Sequence, residues 1–166
     1  MDLEKKVQYL YDRIAIQDTI AMYSLGQDTH QGDDRNVLEQ WKTAFTPDAT
    51  VDFTVFGIPP CSYQELATHL RGDENQKGKM NEAFSKWQHL LGLPTVILHG
   101  DEATSRTDLW ASHNGRSIEK VPQYSVYAAG VFHDQLIRTD EGWRIKFRRL
   151  EMHFIDTINT APNNQG

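Results

Sequence analysis

Apolar residues recur at spacings of three and four near the start of the chain, where Val7, Leu10, Tyr11, Ile14 and Ala21 are separated by Asp12, Arg13 and Gln17. That period predicts an amphipathic helix, ending near residues 24–25 with Gly26 as its break. Residues 27–34 are polar and turn-like. Asp33 or Asp34 then fits the N-cap of a second helix that carries Val37, Leu38, Trp41 and Phe45 on one face. From Ala49 the period changes to two: Val51, Phe53 and Val55 alternate with Asp52 and Thr54, as in a half-buried strand. Residues 57–60, Gly-Ile-Pro-Pro, stop it. Ser62 and Glu65 form the sequence of a capping box at the head of a third helix through Leu66 and Leu70. Residues 72–79 read as a mobile loop able to gate a pocket, and residues 82–87 as a short helix.

The rest of the chain reads as sheet. Residues 88–98 are apolar and β-branched with breaks at Gly92 and Pro94, and residues 99–102 are a hairpin turn. Strands follow over 103–113, 124–139 and 143–154, the last two joined by Asp140-Glu141-Gly142. Helices first, then strands joined by hairpins, is an α+β layout. A long curved sheet wrapped partly around the N-terminal helices would form a cone enclosing a pocket.

Composition narrows the function classes. A chain of 166 residues has room for one sizeable core. Residues 1–157 are expected to make a single domain and 158–166 a flexible tail. The net charge of −6 disfavours a nucleic-acid or anionic-membrane surface. The lone Cys61 allows no internal disulfide and no cysteine zinc site. The first residues lack the apolar core of a signal peptide, and the longest apolar run, near 127–132, is far short of the roughly 20 residues of a membrane helix. The expectation is a cytoplasmic protein with no membrane partner.

Three residues carry the candidate chemistry. Asp28 either belongs to a solvated turn with Asp33 and Asp34, or points into the core, where a carboxylate needs a partner. His89, at the start of an apolar strand, is either a hydrogen-bonded core residue or a base that a neighbouring carboxylate would tune. His113 shares a strand face with Thr107, Leu109 and Ala111, which makes it part of a pocket wall or a rim residue beside Asn114-Gly115. His30 and His69 read as exposed. No Gly-x-Ser-x-Gly elbow, activated cysteine, dinucleotide fingerprint or P-loop occurs. Histidines 133 and 153 with Glu151 lack the spacing of a metal set. Neither cofactor nor metal is expected, and proton transfer is the chemistry that remains.

With those residues in place, the chain resembles the SnoaL-like branch of the nuclear-transport-factor-2-like superfamily, and within it the scytalone dehydratase and hexachlorocyclohexane dehydrochlorinase group. The resemblance spans about residues 5–157. It rests on Ile14-Ala15-Ile16-Gln17-Asp18 leading to Asp28, Phe45-Thr46-Pro47-Asp48-Ala49, His89 opening a strand, His99-Gly100-Asp101, and Asp140-Glu141-Gly142-Trp143-Arg144-Ile145. It implies that Asp28 hydrogen-bonds His89, that His89 removes a proton from carbon as a leaving group departs, and that His113 matches a second histidine of the dehydratase. Gln27 and Phe53 stand where the dehydratase has tyrosines, and Gly130 and Phe132 where it has polar residues, which implies a more apolar wall.

These readings converge on a cofactor-free dehydratase, lyase or isomerase for a hydrophobic, polyketide-like cyclic small molecule. Asp28, His89 and His113 would be its catalytic residues, and Gln27, Phe53, Trp41, Leu109 and Phe132 its binding wall. The alternatives are a cyclase of natural-product biosynthesis and a non-catalytic small-molecule-binding module. Aromatic residues on the outer sheet face, Trp110 and Tyr127, predict a homo-oligomer, dimer or trimer.

Overall fold

In the computed structural model, which describes residues 2–116 and 124–159, the chain opens with one long helix, α1 (Leu3–Thr29). Then come α2 (Leu38–Ala44), β1 (Phe45–Phe53), a 3₁₀ turn (Thr54–Phe56), β2 (Ile58–Ser62), α3 (Tyr63–Arg71) and α4 (Lys79–Ala83). Five strands complete it: β3 (Phe84–Leu91), β4 (Thr95–His99), β5 (Glu102–Gly115), β6 (Tyr124–Thr139) and β7 (Gly142–Asn159). The seven strands form one open, curved sheet in the order β2-β1-β7-β6-β5-β3, with β4 also on β5. All pairs are antiparallel except β1 with β7. The α+β class and the mixed sheet around N-terminal helices are therefore as expected.

Curvature has a local cause. The β6–β7 register shifts at Ala129/Gly130 and at Gln135/Leu136, and such bulges bend a strand pair and sharpen its twist. Gly130 is needed at the first, since a Cβ there would lie 2.4 Å from the Glu151 carbonyl oxygen. β3 pairs with the C-terminal part of one edge of β5 and β4 with its N-terminal part. The break at Gly92 and Pro94 is where one partner hands over to the other.

Several expectations need correcting. α1 does not stop at Gly26 but runs on to Thr29. Gly26 serves contact with α2: a Cβ there would lie 2.9 Å from Cδ1 of Trp41. The stripe Val7, Leu10, Tyr11, Ile14 is exposed, and the buried face carries Asp12, Ile16, Thr19, Ile20, Tyr23 and Gln27. That rotation is set by Asp12, which accepts from both Arg138 terminal nitrogens at 2.7 and 2.8 Å and from Trp143 Nε1 at 3.1 Å. Arg138 holds the Asp12 carboxyl below its ordinary range.

Asp34 is not the cap of α2, which begins at Leu38 after Val37. Its carboxylate instead accepts from the Asn36 amide and from His30 Nδ1, and His30 is buried rather than exposed. Phe45 opens β1 instead of closing α2. The Gly-Ile-Pro-Pro stretch leads into strand β2, whose two prolines are tolerated because β2 is an edge. α4 lies a few residues ahead of the helix expected over 82–87. β7 continues through Thr157 to Asn159, paired with β6, past the expected domain end at 157; residues 160–166 of the expected tail lie outside the described residues. The capping box at Ser62 and Glu65 forms in full.

The core lies between the concave face of the sheet and α1. Its least expected member is an ion pair: Arg148 and Asp134, neighbours on β7 and β6, are both fully buried and joined by bonds of 2.7 and 2.8 Å. The guanidinium lies 4.2 Å from the Phe132 ring centre and 4.8 Å from that of Tyr23, so aromatic faces replace part of its hydration.

The close approach at Gly26 is testable. Helix propensity alone favours Gly26→Ala by about 1 kcal/mol, whereas overpacking against Trp41 costs about 1–3 kcal/mol. The expected outcome is a net loss of stability in urea unfolding; a stabilised variant would show that Trp41 does not press on this helix.

Candidate functional site

The last turn of α1 ends inside the protein, where its free carbonyls need donors. The Gln27 carbonyl accepts from Trp87 Nε1 at 2.7 Å and from Arg71 at 2.9 Å. The Asp28 carbonyl accepts from the Gln31 side chain at 2.8 Å. Gln31 also brackets Trp87, donating to its carbonyl at 2.8 Å and accepting from its amide at 3.0 Å. The end of α1 is thereby stitched to the start of β3.

This stitching brings Asp28 to His89. One carboxylate oxygen lies 2.7 Å from His89 Nδ1 and the other accepts from the His89 amide at 2.8 Å. The His89 side chain is 8% exposed and that of Asp28 25%. Because the carboxylate can only accept, Nδ1 carries the hydrogen, and in the neutral ring Nε2 holds the lone pair. Nε2 has no hydrogen-bond partner among the described residues, and His89 lines a cavity of about 290 Å³.

The cavity sits between α1 and the concave face of the sheet. Phe53, Leu109, Phe132, Leu150 and Met152 give it an apolar wall, closed on another side by Leu70 and Met80. Of the expected wall residues, Gln27, Phe53, Leu109 and Phe132 reach it. Trp41 does not: it is fully buried behind Tyr23, stacked on that ring at 4.8 Å and donating from Nε1 to the Tyr23 carbonyl at 3.0 Å. Gln27 is 1% exposed, and its amide is engaged by Arg71 and Tyr23. His69 and Lys79 stand at the cavity but are exposed.

His113 also lines the cavity, its ring centre 5.3 Å from that of His89 and 4.8 Å from that of Phe84. Burial, helped by the neighbouring His89, pushes its pKa down to about 4; Asp28 and the Val126 main chain oppose this and lose. Its Nδ1 is buried with no hydrogen-bond partner. His113 is therefore a neutral imidazole at physiological pH.

Two residues were not singled out in the sequence: Tyr23, which lines the cavity, and Arg71, which lies outside it against Gln27 and Trp87. The available signal was the four-residue spacing of Tyr23 and Gln27, which puts both on one face of α1. Arg71 had none, because its partners lie far along the chain, at Gln27 in α1, Asn81 in α4 and Trp87 in β3. Among the described residues no helix is long and apolar enough to cross a membrane, and no three potential metal ligands gather into a site. Burial pushes the Cys61 thiol up, away from nucleophilic character.

Comparison with known proteins agrees with this architecture. The SnoaL-like domain family matches residues 8–149. An uncharacterised protein of Mycobacterium tuberculosis is 28% identical over 145 residues, 87% of either chain. Among solved structures, hexachlorocyclohexane dehydrochlorinase LinA-type3 from Novosphingobium barchaimii superposes with a TM-score of 0.72 at 18% identity, covering 92% of this chain and 94% of that one. A candidate scytalone dehydratase from Novosphingobium aromaticivorans gives 0.64 at 18% identity, with 97% and 99% covered. A Kribbella flavida protein gives 0.70 at 22% identity, with 89% and 95% covered. At these identities the structural likeness establishes the fold.

The neutral state of His113 has a consequence for stability. A histidine with a depressed folded pKa stabilises the protein fully above its unfolded value near 6.5, and this contribution is lost as the pH falls towards 4. Between pH 7.5 and 4.5 the wild type is expected to lose on the order of 2–3 kcal/mol more than His113→Leu in urea unfolding. Parallel losses in the two proteins would show that His113 is not buried uncharged.

Proposed function

The chain belongs to the SnoaL-like domain family, and on that premise we propose that it is a cofactor-free acid–base enzyme, a lyase or isomerase, acting on a hydrophobic cyclic small molecule of polyketide-like character. The observation that carries this reading is the 2.7 Å contact between Asp28 and His89 Nδ1, which leaves Nε2 as an acceptor on an apolar cavity. His89 takes a proton from a carbon of the substrate through Nε2. The electron pair of that C–H bond then forms a double bond while a leaving group on the adjacent carbon departs with its own pair. In the isomerase variant the pair is delocalised and the imidazolium returns the proton to a different carbon. In both cases Asp28 steadies the imidazolium in a medium where its charge is poorly solvated. His113, being neutral, serves as a hydrogen-bonding contact to the substrate rather than as a proton source.

The relatives support the reaction class by their names: a dehydrochlorinase and a candidate dehydratase are both lyases. The test is turnover of a panel of cyclic β-hydroxy and β-halo compounds and their unsaturated isomers. His89→Ala and Asp28→Asn should each lose about 10²–10⁴-fold in kcat/KM with an unchanged circular-dichroism spectrum. Folded variants that turn over at the wild-type rate would overturn the acid–base role. Tight binding of a ligand that is always released unchanged would favour a small-molecule-binding module, and formation of a new ring a cyclase.

The reading includes a homo-oligomer. On the outer face of the sheet Trp110, 43% exposed, packs with Tyr127 and with Phe154, itself 44% exposed, an aromatic cluster suited to an interface. Light scattering should give a dimer or trimer of the 19.1 kDa chain, reduced to monomer by Trp110→Glu. A wild type that is monomeric at high concentration would remove this element of the reading.

A further inference from the structure

A second recess, of about 330 Å³, lies between the connection from α1 to α2 and the loop that joins α3 to α4. Every residue lining it is polar or charged. Two of them are buried, Arg71 at 1% and Asn81 at 3% exposure, and the others stand exposed around them. The loop holds its shape by its own hydrogen bonds: Gly72 and Lys77 face each other as a β-bridge, and Asp73 Oδ1 accepts from the Asn75 and Gln76 amides at 2.8 and 3.0 Å.

Arg71 is the unexplained member. Its guanidinium lies 4.3 Å from the Trp87 ring centre and donates to the Gln27 carbonyl, the Gln27 side-chain oxygen and, at 3.5 Å, to Asn81 Oδ1. Its Nε is buried with no acceptor among the described residues. No carboxylate touches it there either, and Asp34 and Asp28 act on it only from farther off. A buried cation left in that state is costly. Burial draws its pKa down to about 10, so it still holds its charge at neutral pH.

The carboxylates around the recess do not supply the missing partner. Asp33 is held by Arg116 at 2.8 Å, and Asp73 is spent on its own loop. Arg35 and Lys77 form no ion pair among the described residues. With the engaged groups set aside, three cations face Glu74 alone.

We propose that this recess binds a small oxyanion, a carboxylate or phosphate group that accepts from Arg71 at the inner end and from Arg35 and Lys77 at the rim. Charge-assisted bonds of this kind are the strong ones, and the orphaned Nε–H is the donor that lacks its acceptor. The site is separate from the cavity and goes beyond the acid–base reading, but it meets the Asp28–His89 pair through one side chain. Arg71 holds the Gln27 carbonyl, next to Asp28, and stacks on Trp87, two residues before His89. Its charge also opposes protonation of His113. An oxyanion on Arg71 offsets part of that charge, so its arrival is felt by both histidines of the cavity. The ligand is therefore an effector and not a substrate.

The probes are sodium phosphate and sodium succinate at pH 7, with ionic strength held constant by sodium chloride. Affinity is measured by titration calorimetry, and contact by the Arg71 Nε–H signal in a nitrogen–proton correlation spectrum. Because Arg71 also closes the end of α1, it is left in place. Saturable heat and a saturable shift of that signal are expected with phosphate, succinate or both. A response to one alone assigns the site to phosphate-bearing or to carboxylate ligands. Arg35→Gln combined with Lys77→Gln should weaken binding about tenfold or more. Lys5→Gln combined with Lys6→Gln removes the same charge at the other end of α1 and should leave affinity unchanged.

An Nε–H signal that neither salt moves, with no saturable heat, would overturn the site. Equal shifts with sodium chloride alone would reduce it to screening and overturn it too. Undiminished affinity in the rim variant, or an equal loss in the Lys5 and Lys6 variant, would place the anion elsewhere. The ring signals of His89 and His113 should move as the site fills; rings that stay unchanged would overturn the link to the cavity. None of these readouts needs turnover, so a failure of the acid–base reading and a failure of this site are seen separately.

Discussion

The structure depends on how a helix is allowed to end in the dark. A helix that finishes in solvent hands its last carbonyls to water, but α1 finishes against β3 and α3. The Gln27 and Asp28 carbonyls are met there by Trp87, Arg71 and Gln31. Each of these donors arrives from a different part of the chain, so the helix end can be satisfied only when α3 and β3 are both in place. The placement of Asp28 beside His89 follows from the same closure: once Trp87 is bound to the helix end, His89 two residues on presents its amide and its ring to the carboxylate. A one-residue slip of β3 would send that ring to the other face of the sheet, so the two bonds to Asp28 also fix register.

Around this joint the molecule separates charge from the space it encloses. Arg148 pairs with Asp134 under the aromatic rings and Arg138 with Asp12 in the N-terminal half of α1, whereas Arg71 touches dipoles and a ring, with the carboxylates of Asp34 and Asp28 acting on it from farther off. Only the last of the three has no carboxylate in direct contact among the described residues. His113 remains neutral because the same apolar surroundings that make the cavity fit for a hydrophobic ligand also penalise an imidazolium. A medium of that kind strengthens any hydrogen bond made within it, which gives a small number of polar groups a large effect on whatever enters.

The order of elements was legible in the sequence because strands and helices here differ clearly in period, and the turns carry Gly, Asn and Asp. The capping box at Ser62 and Glu65 and the shared face of Leu109, Ala111 and His113 are local patterns, readable within a few residues. What was misread is long-range. Gly26 looked like a terminator because the space it opens is filled by Trp41, fifteen positions later in the chain. The exposed stripe of α1 is as apolar as the buried one, and only the Asp12–Arg138–Trp143 cluster decides between them. Trp41 was expected on the cavity wall because a large aromatic residue on a helix face does not reveal which layer it fills. Arg71 was missed because its partners lie far along the chain, which periodicity does not record.

The origin of the cavity lining has a further consequence. The Asp28–His89 pair comes from α1 and β3, with His113 alone from β5, whereas the apolar wall comes chiefly from β1, β5, β6 and β7. Exchange of Leu109 or Met152, which do not pack on the aromatic rings of α1, for a larger or smaller apolar residue reshapes the space while leaving the buried helix end in place. Selection can therefore alter which molecule fits while the means of acting on it is inherited unchanged. A fold divided in this way favours diversification by drift along the strands, one wall position at a time.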